Sequence, residues 1–117
     1  MTLAPNRRGM LVDPSGRIGY PPLPPATPPA RTADLCAALL VVLLDDDGEP
    51  NPVVVLIGRM YSRRFAVPAP LLLDDPVGRA LFCRRRGGHL DPVAASTAAR
   101  LRRLVATVCD SNHAENL

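Results

Sequence analysis

The stretch Gly87-Gly88-His89-Leu90-Asp91, followed by PVAASTAARLRRLVATVCD from Pro92 to Asp110, decides how the rest of the chain is read. From Pro92 onward there is no glycine, and Val93, Leu101, Leu104, Val105 and Val108 recur at helical spacing, which predicts an amphipathic helix. Asp91 is expected to cap its start and Pro92 to take the first position, where a missing N–H costs nothing. The glycine pair then reads as a tight loop that delivers a strand into this helix, and Gly78 to Cys83 (GRALFC) is that strand.

Working upstream, Ala33 to Leu44 (ADLCAALLVVLL) is one continuous apolar run that ends in Asp45-Asp46-Asp47-Gly48. Helix and strand compete over it, and the valine pair with the following turn signal favours strand. Val53 to Ile57 is a β-branched run and reads as the returning strand of a hairpin. Both strands being apolar on both faces implies a sheet covered on both sides. The three aspartates read as a solvated turn, because nothing near them completes a cation cage.

Residues 1–33 carry Gly9, Gly16 and Gly19 and six prolines between Pro21 and Pro29, a density that favours extended or disordered chain over hydrogen-bonded structure. They are read as a tail, leaving residues 34–117 as the folded domain. Within the tail Tyr20, Pro21, Leu23 and Pro24 form an aromatic-Pro-x-apolar-Pro pattern suited to aromatic-lined grooves.

Composition sets further bounds. A chain of 117 residues supports one domain with a modest core, and with two Tyr, two Phe and no Trp that core must be built from Leu, Val, Ala and Ile. All 14 basic residues are Arg and the net charge is +3, too small by itself to demand a nucleic acid. Cys36, Cys83 and Cys109 lack zinc or disulfide-frame spacing, so packed thiols in a reducing compartment are expected. The longest apolar run is too short to span a bilayer and the start lacks a signal-peptide core, so a soluble intracellular protein, not secreted, is expected.

The strand, Gly-Gly loop and helix resemble the signature of the Nudix hydrolases, and residues 34–110 resemble the poxvirus-type decapping members. Counted from Gly88, the family's arginine falls on Arg102 and its apolar residue on Leu104, while its four glutamate positions hold Ala94, Arg103, Ala106 and Thr107. Those carboxylates would hold Mg²⁺, which demands hard oxygen ligands. A guanidinium about 4 Å from a divalent ion would cost on the order of 8 kcal/mol at an effective dielectric of 20. The resemblance therefore implies an α+β fold, a truncated Nudix-like sheet with one C-terminal amphipathic helix, stripped of catalysis, metal and cofactor.

A stripped scaffold of this kind works by contact. The basic residues available are the edge Arg59, Arg63 and Arg64, the run Arg84, Arg85 and Arg86, and the pair Arg100 and Arg103, which share a helix face and are expected to join the run in one basic surface. The bias toward Arg, Ala, Pro, Gly and Leu suggests a GC-rich genome, and with the resemblance it implies a viral accessory protein. Its expected partner is a host protein of innate immune signalling, NF-κB signalling in the nucleus included. The alternative is a nucleic-acid or nucleotide-binding module. A missing layer over the sheet also leaves room for a homo-oligomer.

Overall fold

The computed structural model describes residues 7–23, 32–36, 39–45, 47–65, 76–87 and 89–115. The elements are β1 (Met10–Val12), β2 (Ile18–Gly19), β3 (Thr32–Cys36), β4 (Leu39–Leu43), α1 (Pro52–Phe65), β5 (Ala80–Arg86), β6 (His89–Asp91) and α2 (Ala95–Glu115). The class is α+β. One antiparallel sheet runs in the order β2-β1-β5-β4-β3, and β6 pairs with the far end of β5.

Phe82 lies at the centre of this sheet, opposite Met10 on β1 and Val41 on β4. Alternation along the strands then sorts the core into two faces. Met10, Val12, Val41, Leu43, Ala80 and Phe82 point to one, where Val53, Val54 and Ile57 of α1 and Leu101, Val105 and Val108 of α2 cover them. Leu40, Val42, Leu81 and Cys83 point to the other, where Leu90 of β6 and the partly buried Leu11 and Leu23 pack against them. All five residues of β4 are buried. The expectation of a sheet buried on both sides therefore holds, but its cover is different.

Four sequence expectations are corrected here. Val53–Ile57 is not a strand but the first part of α1. Asn51, only 1% exposed, caps that helix by accepting the Val54 N–H at 3.3 Å, and its amide donates to Val12 O at 3.2 Å and Gly78 O at 2.9 Å. Pro52 follows at the first helical position, so the start signal of a helix outweighs the β-branched run. The run at 33–44 is not a single strand paired with that segment. It is two strands, β3 and β4, paired with each other, and its connection at 37–38 lies outside the described residues.

The N-terminal region is not a tail throughout. β1 is an interior strand, paired with β2 on one side and β5 on the other, and Met10 and Val12 are in the core. Between Val12 and Ile18, Asp13 closes the turn by accepting from the N–H groups of Ser15 and Arg17, both at 2.9 Å. A further bridge joins Arg8 to Pro22 and ties the chain after β2 to the segment before β1. Burial of Met10 and Val12 stabilises this placement, each such side chain contributing about 1.5–3 kcal/mol. Residues 1–6 and 24–31 lie outside the described residues.

Asp91 does not cap α2. It belongs to β6, opposite Arg84, and forms ion pairs with Arg7 at 3.6 Å and Arg86 at 3.7 Å. The helix begins four residues later, with the Ala94 carbonyl accepting the Ala98 N–H at 2.9 Å. Gly87, at φ +54, makes the turn between β5 and β6, a backbone conformation that glycine adopts without penalty. Two helices, both on the same face of the sheet, stand where the sequence predicts a single C-terminal one, because the segment predicted as a second strand is α1.

The exit of β4 is tied to the entry of β5 by Asp45. Its carboxylate accepts from Arg79 N–H at 2.7 Å and from the Arg79 guanidinium at 2.9 and 3.1 Å, passing over Gly78, whose φ of +73 and close approach leave no room for a side chain. The Arg79 side-chain hydrogen bond, with the backbone one, lowers the Asp45 pKa to about 2.

Two expected outcomes follow from this packing. Met10→Ala should destabilise the chain by about 2–5 kcal/mol in urea unfolding, a loss that a free tail would not show. Because the Asp45 pKa is depressed below its ordinary 3.8, its stabilisation is present above that value and is lost as pH falls toward about 2. Asp45→Asn should therefore lower the melting temperature at pH 7 and flatten its dependence on pH between about 4 and 2.

Candidate functional site: the interhelical groove

Covering one face of a sheet with two helices leaves a crevice where their outward sides meet. From α1 its walls take Leu56, Arg59, Met60 and Arg63, and from α2 they take Arg100, Arg103, Leu104, Thr107 and Val108, around a volume of about 1000 Å³. The helical repeat explains the selection. Leu56 and Met60, and Arg59 and Arg63, are four apart on α1; Leu104 and Val108 are four apart on α2, where Arg100 and Arg103 are three apart. Each helix thus sets a stripe of apolar residues beside a stripe of arginines.

The floor and walls differ in burial. Val108 is nearly buried and Met60 and Leu104 are half-buried, while Leu56 keeps 45% of its surface exposed. Arg59, Arg63, Arg100 and Arg103 are all exposed, and among the described residues none of them forms an ion pair. No lining residue is acidic or aromatic. Thr107 donates its hydroxyl to the Arg103 carbonyl at 2.9 Å, so that group is turned back on its own helix.

Of the basic residues in the sequence, the fold brings Arg59, Arg63, Arg100 and Arg103 together. Arg64 is on α1, with its side chain outside the described residues. The run at 84–86 does not join them. Alternation on β5 turns Arg84 and Arg86 to the Phe82 side and Arg85 to the Cys83 side, so three adjacent arginines do not make one patch. Arg84 donates to the Pro92 carbonyl at 2.9 Å and Arg86 pairs with Asp91, so both serve the β5–β6 hairpin.

The other sequence candidates are absorbed by the fold. Leu23 packs against the second face, its N–H bonded to the Arg7 carbonyl at 3.1 Å, and Arg8 donates to the Tyr20 carbonyl at 2.8 Å. Tyr20 and Pro21 are thus tied to the N-terminal segment through their backbone carbonyls, while the Tyr20 side chain stays exposed, and Pro24 lies outside the described residues. Arg102 is exposed and reaches the Tyr20 hydroxyl at 3.4 Å. Ala94 precedes α2, Ala106 is exposed on it, and Gly88 lies outside the described residues.

Among the described residues no three His, Cys, Asp or Glu side chains come together as a metal site, and no helix is long and apolar enough to cross a membrane. Compared with known protein families, curated proteins and solved structures, the chain matches none, and nothing indicates a Nudix relationship. The groove is thus described by its own chemistry, an apolar floor between two arginine-bearing walls.

Like charges three and four residues apart on a helix destabilise it by about 0.2–0.5 kcal/mol per pair. Arg63→Gln with Arg103→Gln relieves both pairs at nearly equal helix propensity. The double variant should melt about 2–5 °C higher in low salt, and the gain should vanish in high salt, as read by circular dichroism.

Proposed function

We propose that this chain acts without catalysis, as a protein-binding module whose contact surface is the groove between α1 and α2. The observation that carries this reading is the juxtaposition of an uncovered apolar strip, centred on the exposed Leu56, with four arginines that have no ion-pair partner among the described residues. Apolar area removed from water supplies affinity at such a surface, and the charged rim supplies orientation and rate.

In this reading the partner is a host protein. The GC-rich coding bias supports a viral accessory role against innate immune signalling, NF-κB signalling in the nucleus included. Nucleic-acid binding would draw on the same arginines, but single-strand recognition relies on stacked aromatics, and the groove lining has none.

The test is site-specific photocrosslinking inside cells, with benzoylphenylalanine replacing Leu56. A discrete host-protein adduct is expected, and it should disappear when Arg59→Glu and Arg103→Glu are added. Adducts to RNA alone, or a protein adduct indifferent to the charge reversal, would refute the reading.

A further inference from the structure

We infer that the occupant of the α1–α2 groove is an acidic amphipathic helix of the partner protein. This rests on the protein-binding reading above and specifies its chemistry. The first ground is charge. The four groove arginines carry +4 against +3 for the whole chain, so everything outside the groove nets to −1. No residue of the lining is acidic, so the crevice presents one sign of charge, and carboxylates on a partner complement it.

The second ground is the backbone. Both walls of the groove are α-helices, whose N–H and C=O groups are bonded within each helix. An extended peptide laid between them would find no main-chain donors or acceptors and would leave its own unpaired against the apolar floor. A helical segment brings its backbone bonds with it and needs only side-chain contact. The third ground is the pattern of the walls. Leu56, Met60 and Leu104 form the strip an apolar helix face would cover, and the arginines flank it on both sides, where carboxylates bordering that face would sit.

Dimensions agree. The lining stretch of α2, from Arg100 to Val108, is about 12 Å long at 1.5 Å per residue, enough for two turns or slightly more of a docked helix. Such an occupant also relieves the repulsion within the two arginine pairs, so the feature that weakens the free chain strengthens the complex.

The inference is tested by fluorescence anisotropy on the full chain with three probes of about 20 residues, long enough to populate helix in water. One carries leucines at helical spacing flanked by glutamates, the second has lysines in place of those glutamates, and the third scrambles the first. The acidic helix should bind, and the other two should bind at least about tenfold more weakly. The variant Arg63→Glu with Arg100→Glu leaves two positive and two negative side chains in the groove and should abolish the preference between acidic and basic helices, and Leu56→Ser should weaken the acidic one while thermal unfolding stays unchanged.

Equal binding of the scrambled probe would overturn the inference, leaving charge alone. So would a groove that self-associates, with dimerisation in sedimentation abolished by Leu56→Ser, because the occupant would then be a second copy. Displacement of the acidic helix by mixed-sequence RNA, steeply weakened between about 50 and 200 mM salt, would assign the groove to nucleic acid instead. A host protein captured at position 56 with no binding of the acidic helix would preserve the protein-binding reading and remove this one.

Discussion

The ladder between β4 and β5 is the constraint on which the molecule depends, because both strands are apolar on both faces and neither can be left exposed. The row Met10, Phe82 and Val41 runs across the sheet through it, the other strands extend it, and both of its sides must be covered. On the first side that cover is two helices. On the second it is thin, made among the described residues by β6 through Leu90 and by the N-terminal segment through Leu11 and Leu23. A chain of 117 residues with almost no aromatics has little material to spare, which is why a glycine- and proline-rich stretch has become part of the fold.

The groove follows from the same economy. Five strands at about 4.8 Å spacing make a face about 20 Å wide, and helices pack about 10 Å apart, so two are needed side by side. Their inner stripes are spent on the sheet. What remains between their outer stripes is a crevice whose floor is the edge of the core, and the residues bordering it are arginines. The binding surface is therefore continuous with the packing that stabilises the domain.

Much of this was legible in the sequence. The helical spacing of Leu101, Val105 and Val108 locates α2, GRALFC locates β5, and the doubly apolar run at 39–43 implies a strand with neighbours on both faces. The glycine pair marks a turn, though the turn leads into β6 before the helix. Less legible was α1, where Val53, Val54 and Val55 pull toward strand while Asn51-Pro52 states a helix start as plainly as any in the chain. Reading the cap over the β-branching would also have revealed Arg59 beside Arg63 and so the second wall of the groove. The place of β1 was not legible, since three residues among glycines and prolines become a strand only by pairing with residues far along the chain. Arg84, Arg85 and Arg86 mislead for a related reason: adjacency in sequence means opposite faces in a strand.

That distant pairing bears on how the molecule is made. Met10 lies opposite Phe82, 72 positions later, and β5 is the strand that joins the β2-β1 half of the sheet to the β4-β3 half. As the polypeptide leaves the ribosome, β1 can pair at once with β2, but its other neighbour, β5, emerges only after most of the sheet's residues. Joining of the two halves of the sheet is thus deferred until β5 has emerged, and contacts of such long separation make it slow. During that interval the apolar β3–β4 hairpin is the segment most exposed to misassociation.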